Sequence, residues 1–315
     1  MLRYLINRLA QSIVLIVFVS ILTFVLIHAA PGGPAVLLAP EMTKEQIELA
    51  RKQLGLDDPI PLQYARWAGH VVRGNLGTSY SQGLPVTDLL LRRLPETLEL
   101  VLTGLALATM AGILIGIVSA KRQYSLLDKL STGFCFFGMS VPVFWFGLML
   151  IIFLSIDLKI LPSAGSYTLG APASIQDRFV HLILPAIVLA TANLALIARY
   201  TRSSMLEVLH ADYLRTARAK GVKESVVMNR HALRNALIPI VTVVGLMIPR
   251  LVSGVAITES VFAWPGMGSL AVDSAVQRDY PVVMGITLMV SVLVVVTNLL
   301  TDLSYLFLDP RVKLR

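Results

Sequence analysis

The chain has 315 residues, of which 56% are apolar and only 15% charged, at a mean hydropathy of +0.74. That balance lies outside the range of soluble globular domains, and a single cysteine, Cys135, excludes a disulfide framework and a cysteine metal site. The formal net charge of +8 is concentrated in loops between apolar runs, where membrane topology and anionic lipid account for it without nucleic acid.

Arg3 and Arg8 precede the first apolar run, about Leu9–Ala30. The run is too long for a cleaved leader, and the Pro-Gly-Gly-Pro after it is not a small-residue cleavage site, so it reads as a retained membrane helix. Residues 31–97 are too many for a mere connector and read as a small external subdomain. Inside it, Thr43 is the N-cap of a short amphipathic helix running to Leu54, with acids in its first turn, bases in its last and Gly55 as its stop. Ile47, Ala50 and Leu54 fall on one face, which must pack on something, such as the outer ends of the spans. Asp57-Asp-Pro-Ile-Pro ends this helix, Tyr64–Val72 reads as a second one, and Gly74-Asn-Leu-Gly-Thr-Ser-Tyr reads as a turn.

Five further apolar stretches follow: Leu98–Ala120, Leu130–Ile156, Phe179–Ala198, Leu237–Thr258 and Pro281–Leu303. Each is long enough to cross a hydrocarbon core of roughly 30 Å as a helix. They are continuous rather than alternating, which favours helices over barrel strands. The expected fold is an all-α polytopic membrane protein with six transmembrane helices. Its divisions are 1–30 (cytoplasmic N-terminus and first helix), 31–97 (external subdomain) and 98–315 (five-helix transport core). Lys and Arg in the short loops set the orientation. With the N-terminus inside, the inner segments hold Arg3, Arg8, Lys121, Arg122, Lys129, eight bases from Arg199 to Arg234, then Arg311, Lys313 and Arg315. The short outer loops hold only Lys159, Arg178 and Arg278. Both termini are therefore expected in the cytoplasm.

The basic stretch Arg199–Arg234 is helix-forming and is broken once, at Gly221. In Thr216-Ala-Arg-Ala-Lys-Gly221 the small residues Ala217 and Ala219 allow close helix approach, and Gly221 allows a sharp change of direction. On residues alone this is either an ordinary solvated loop or a knob on which a soluble partner docks. At the outer end of the fifth span, Glu259 and Trp264 belong either to an interfacial turn with a belt aromatic or to an outer gate. Arg250 is the only charge well inside a span, about 12 Å below Thr258. It either faces a water-filled pathway or snorkels outward. Gly245, Ser253 and Gly254 suit close approach across a dimer seam, and Gly112 with Gly116 form a small-xxx-small packing site rather than a phosphate loop. Pro142 and Pro185 are expected to kink their helices, and Asp302 to cap or pack. The histidines at 28, 70, 181, 210 and 231 lack metal-like spacing, with His28 and His181 read as interfacial polar residues. No Ser/His/Asp set, HExxH or Walker sequence is present.

From Ser203 onward the chain resembles the membrane permease subunit of an ATP-binding-cassette (ABC) importer of the oligopeptide/dipeptide/nickel type. The resemblance rests on the hairpin around Gly221 and on His231-Ala-Leu-Arg-Asn-Ala-Leu-Ile-Pro. It also rests on Glu259-Ser-Val-Phe-Ala-Trp-Pro-Gly-Met-Gly268, Arg278-Asp-Tyr-Pro281 and Leu308-Asp-Pro-Arg311. Leu-Arg-Tyr-Leu-Ile-Asn-Arg-Leu near the N-terminus, Leu54-Gly-Leu-Asp-Asp-Pro-Ile-Pro-Leu-Gln-Tyr and Gly74-Asn-Leu-Gly-Thr-Ser extend it over essentially the whole chain. Each match alone is weak, and together, in order, they are specific. Arg215 replaces the glutamate that often opens the loop motif, and His231-Ala-Leu-Arg replaces Ile-x-Leu-Pro, so no salt bridge is assigned from that glutamate.

The resemblance implies that the first hairpin helix, about Ala211–Lys220 within a coupling hairpin at 203–236, inserts into a groove on a separate ATPase. Tyr213, Arg215, Thr216, Ala217, Arg218, Ala219 and Gly221 would form the coupling surface, and Arg250, Glu259 and Trp264 the pathway or gate. The implied partners are a second homologous permease, two cytoplasmic ATP-binding subunits, an extracytoplasmic solute-binding protein and membrane lipid. The implied location is the inner (plasma) membrane of a prokaryote. The subunit itself would be non-catalytic and bind no cofactor, with ATP and Mg held by the ATPases. Peptides are the expected substrate, although nickel chelates, glutathione or sugars suit the same scaffold. A passive channel would need no large hairpin, and a membrane-embedded enzyme would need a carboxylate pair or metal-ligand set within the spans.

Overall fold

The computed structural model describes residues 2–29, 33–34, 43–172 and 174–308; for 2–5, 250, 252–253 and 304–308 it describes the backbone only. In chain order the helices are α1 (Leu2–Ala29), α2 (Lys44–Gln53), α3 (Ile60–Val72), α4 (Val86–Lys121), α5 (Leu126–Ser140) and α6 (Val143–Leu150), which continues as a π-helical stretch Ile151–Asp157. Then come α7 (Ile175–Leu209), α8 (Asp212–Ala219), α9 (Glu224–Ala236, π-helical over Val227–Ala232), α10 (Ile238–Gly254), α11 (Ala256–Val261), α12 (Met267–Val276) and α13 (Tyr280–Leu308).

Four of these, α1, α4, α7 and α13, are each long and apolar enough to cross a membrane. Two bent pairs also pass the apolar test, α5 with Val143–Asp157 at 104° and α9 with Ile238–Pro249 at 40°, which makes up to six crossings if each pair counts as one. The chain is thus a multi-pass all-α membrane protein, but the third and fifth expected spans are not continuous helices. The cause is local. Val141 is extended (φ −83°, ψ 128°) because Pro142 clashes with an α-conformation in the residue before it, and Pro142 supplies no N–H. Pro142 therefore ends one helix and starts the next, rather than kinking a single one. Pro239 sits in the first turn of α10, where its missing N–H costs no helical bond, whereas Pro185 sits inside an uninterrupted α7.

The described residues form two compact units, within Met1–Thr97 with Pro265–Val296, and within Leu98–Trp264 with Thr297–Val312. In the first, α2 begins with a capping box in which the Thr43 hydroxyl accepts from the Gln46 amide and Gln46 accepts from the Thr43 amide. Ile47, Ala50 and Leu54 are its half-buried positions, as the periodicity requires. The next helix, α3, starts at Ile60, four residues before Tyr64, with Pro59 as its N-cap. It packs on α1: Tyr64 Oη lies 2.9 Å from Ser20 Oγ, its ring meets Phe24 edge-on, and His28 Nε2 lies 3.1 Å from Gln63 Oε1. The core joins the start of α4 to α12 and α13 through Val86, Leu90, Met267, Leu270, Val282 and Ile286. Gly285 permits that contact, since a Cβ there would lie 2.5 Å from Val86 Cγ1.

In the second unit α4 and α7 touch backbone to backbone at Gly112 and Gly116. A Cβ at Gly116 would stand 2.7 Å from the Ala198 carbonyl, as a small-xxx-small packing site requires. Gly245 serves the same purpose inside the chain: a Cβ there would meet Thr301 at 2.9 Å. This close approach is therefore to α13, not across a dimer seam. The Gly254 Cβ position is open, and the Ser253 side chain lies outside the described residues. Leu184, Val188 and Phe262 form a further core with α6 packed on it.

Candidate functional site

The hairpin expected on the cytoplasmic side is built from α8 and α9. Ala211 opens α8 without a side-chain cap, and the helix closes at Lys220. Gly221 then takes φ +76°, a left-handed conformation that costs an L-residue about 1–2 kcal/mol. The Val222 amide returns to the Ala217 carbonyl at 3.2 Å, so the turn is tight. Across it the Arg218 guanidinium donates twice to Glu224, at 3.1 and 3.0 Å. Leu214, Val227 and Ala232 are fully buried between the two helices, with Ala217 and Val222 packed against them. Asn235 Nδ2 donates to the Tyr213 hydroxyl at 3.0 Å, and Ser204 Oγ to the Ala236 carbonyl at 2.9 Å, fixing the hairpin to the end of α7.

Seven expected coupling residues therefore divide. Tyr213, Arg215, Thr216, Arg218 and Ala219 are exposed. Ala217 is half-buried against the hairpin's own core, where its small size sets the spacing between α8 and α9. Gly221 supplies the turn. Thr216 and Ala219, three residues apart, present a low-relief face away from Leu214 and Ala217. Arg215 lies 3.7 Å from Asp212 with both side chains almost fully exposed, a pair worth little. Sequence reasoning missed the Arg218–Glu224 brace and the π-helical stretch Val227–Ala232, a conformation common at functional sites.

Above the hairpin sits a polar hub that the sequence did not reveal. Asp128, 4% exposed, accepts from Arg202 Nε at 2.8 Å and Nη2 at 2.9 Å, from the Tyr124 amide at 2.9 Å and from the Ser119 hydroxyl. This bidentate pair joins the inner ends of α4, α5 and α7.

At the outer end, Glu259 and Trp264 are both fully buried, and the Trp264 amide donates to the Glu259 carbonyl at 2.8 Å. Trp264 is therefore not a lipid-facing belt aromatic. Between them Ala263 adopts φ +47°, a corner rarely taken by a residue with a Cβ. The Arg178 guanidinium lies between two rings, 5.2 Å from the centroid of Tyr167 and 5.4 Å from that of Trp264, while pairing bidentately with Glu99. His181, expected at an interface, is buried, its Nδ1 2.9 Å from the Asp177 carbonyl. Arg250 lies in α10 next to Pro249, with its side chain outside the described residues.

In the other unit the Arg278-Asp-Tyr-Pro and Gly74-Asn-Leu-Gly-Thr-Ser motifs meet. Asp279, fully buried, accepts from Ser79 Oγ at 2.5 Å, Ser81 Oγ at 2.8 Å and the Ser81 amide at 3.0 Å. Burial first, then the nearby Asp279, push the Tyr80 phenol up to about 12. The terminal Leu308-Asp-Pro-Arg311 motif lies, beyond Leu308, outside the described residues.

The chain is similar to known proteins over its whole length in sequence and over most of it in fold. Residues 112–314 match the family described as the binding-protein-dependent transport system inner membrane component, and residues 1–101 match its N-terminal counterpart. The chain is 49% identical over 315 residues to the oligopeptide transport system permease protein AppB of Bacillus subtilis, covering 99% of this chain and 100% of that one. It is 38% identical to the dipeptide transport system permease protein DppB of Escherichia coli K12, and 40% identical to the glutathione transport system permease protein GsiC of Salmonella paratyphi A, with 99% of each chain covered. Among solved structures, an inward-facing MetNI methionine ABC transporter aligns at TM-score 0.56 and 19% identity, covering 70% of this chain and 96% of that one. An amino acid ABC transporter aligns at TM-score 0.53 and 16% identity over 69% and 93%. The chain belongs to the family of inner membrane components of binding-protein-dependent transport systems.

Proposed function

We propose that this subunit is the peptide permease of an ATP-driven importer in the inner membrane of a prokaryote. It forms the translocation pathway with a second, related permease. Two cytoplasmic ATPases, which hold ATP and Mg and carry out hydrolysis, dock on the paired hairpins, and an external solute-binding protein delivers the substrate. Peptide transport is the stated role of the oligopeptide and dipeptide permeases to which the chain is similar. Arg250, Glu259 and Trp264 are assigned to the pathway and its outer gate, and 31–97 to the surface that meets the binding protein.

The observation that carries the reading is the hairpin's construction. Its polar braces and a small core shared with Val208 and Leu209 make it one body with the end of α7, and its exposed face, Thr216 with Ala219, is flat enough to enter a groove. Such a body passes on the closure of the ATPases as a rigid movement. Ala219→Trp puts bulk on that face without touching the hairpin core. It should leave insertion and expression intact and abolish substrate-stimulated ATP hydrolysis in the assembled complex. Normal stimulated hydrolysis and uptake at equal expression would remove the docking assignment.

A further inference from the structure

Between the inner parts of α4, α5 and α7 lies a cavity of about 250 Å³. It is amphipathic along its length. Ser131, Thr132 and Arg199 line its polar part, and Phe136 and Met139, 61% and 49% exposed, line its apolar part. Ser131 and Met139 are eight residues apart on α5, so the lining extends about 12 Å along the helix. Arg202 also borders the space, but its guanidinium is already committed to Asp128.

The other polar groups are not committed. Arg199 has neither an ion pair nor a hydrogen bond among the described residues. Some helical hydroxyls elsewhere turn back to the carbonyl four residues earlier, as Ser140 does to Phe136, Thr191 to Ile187 and Thr301 to Thr297, whereas those of Thr109, Thr201 and Thr258 are buried without a partner among the described residues. Ser131 and Thr132, which face the cavity, likewise have no hydrogen-bond partner among the described residues. A free cation and two free hydroxyls therefore meet at one end of an apolar slot.

The depth of this slot limits what can fill it. The apolar run of α7 ends at Ala198, so Arg199 stands where the hydrocarbon gives way to headgroups. The loop bases Lys121, Arg122 and Lys129 mark the same side as the cytoplasmic one. A free phosphate would satisfy the polar end and leave the apolar walls wet, whereas a molecule with an anionic head and a hydrocarbon tail satisfies both. We propose that this cavity binds an anionic phospholipid of the cytoplasmic leaflet. Its phosphate sits on Arg199 and the hydroxyls of Ser131 and Thr132, and the upper part of an acyl chain lies against Phe136 and Met139. The bound lipid would hold α5 to α7 beside the Asp128–Arg202 pair, on the helix that carries the hairpin.

Cys135, the only cysteine of the chain, lines the same cavity and reports its occupancy. The assembled importer is reconstituted in nanodiscs of phosphatidylcholine alone, or of phosphatidylcholine mixed equally with phosphatidylglycerol. Alkylation of Cys135 by N-ethylmaleimide is then followed by peptide mass spectrometry. One near-surface cation is worth ~1 kcal/mol toward an anionic leaflet, so phosphatidylglycerol should slow alkylation by about five-fold. Arg199→Gln should abolish the difference and Arg199→Lys retain part of it. The Ser131→Ala/Thr132→Val double variant, which leaves every charge in place, should lose part of the protection. Inorganic phosphate added to phosphatidylcholine discs should give none. Equal rates in the two lipids would overturn the proposal, as would protection that survives Arg199→Gln. Protection by phosphate as strong as that by phosphatidylglycerol would reduce the site to an anion pocket. A Cys135 inert in both lipids would also overturn it, since the second permease rather than lipid would then cover the cavity.

Discussion

Asp279 is the residue on which two separate sequence motifs converge. Its carboxylate is wholly buried and answers two hydroxyls and an amide from the 79–81 segment, and hydrogen bonds to a charged group contribute about 1.5–3 kcal/mol each. Asp279→Asn keeps the shape but turns an amide NH2 toward donors. It should lower the thermal denaturation midpoint of the purified transporter. A double-mutant cycle with Ser79→Ala should show coupling of at least ~0.5 kcal/mol, and additive effects would mean that the two motifs are merely adjacent. Arg250 invites a different test. In the proposed pathway role its guanidinium would meet an anionic group such as a peptide carboxylate, whereas against lipid it would cost on the order of 2.5–3.5 kcal/mol. Arg250→Ala should impair uptake while assembly and basal ATP hydrolysis stay near normal, with Arg250→Lys partly active. Full uptake by the alanine variant would leave Arg250 a structural residue.

Among the elements, the hairpin shows how position within a helix separates residues that look alike in sequence. Ala217 and Ala219 are both small and both lie in α8, yet one faces the hairpin core and the other faces away. Ala217→Trp should overfill the space beside Leu214 and Val227, at a cost of about 1–3 kcal/mol or more, and make the hairpin sensitive to protease in the isolated subunit. Ala219→Trp should not. Gly221→Ala keeps the turn under strain and should reduce coupling. Gly221→Pro, whose ring cannot reach φ +76°, should abolish it while insertion persists. Coupling unchanged by proline would mean that the turn plays no part. Much of this element could be read from the sequence, because glycine, small residues and bases mark a turn and a polar helix. The Arg218–Glu224 brace and the Asp128–Arg202 hub could not. The first joins residues across a turn whose geometry was unknown, and the second joins residues 74 apart. The bent third span was half-visible: Pro142 announced a disturbance, but a 104° break between two helices depends on packing that composition does not record.

For the whole molecule, hydropathy and loop charge account for the membrane class and for the assigned sidedness, which labelling can check directly. In a Cys135→Ser background, cysteines at Gln46 or Lys52, both exposed on α2, should react with an impermeant maleimide in cells whose outer envelope alone is permeabilised. Reaction only after the inner membrane is broken would invert the topology. The helix of the second expected span begins well before its apolar run, for a physical reason. Residues 86–97 carry Asp88, Arg92, Arg93 and Glu96, so they score as loop, yet they form the opening turns of α4 with Val86 and Leu90 fully buried. A helix that leaves the hydrocarbon keeps its hydrogen bonds but loses its apolar signature.

α7 does the same at its C-terminal end, on the side assigned to the cytoplasm. It continues for 11 residues after Ala198, to Leu209, which amounts to about 16 Å along its axis. The headgroup layer on one side of a bilayer is only about 5–8 Å deep. α7 therefore acts as a standoff post that carries α8 clear of the lipid headgroups. Surface potential decays within about 8 Å at physiological ionic strength. A soluble partner arriving at Thr216 and Ala219 would thus meet the protein's own charges rather than those of the bilayer, and its affinity should be nearly indifferent to the fraction of anionic lipid.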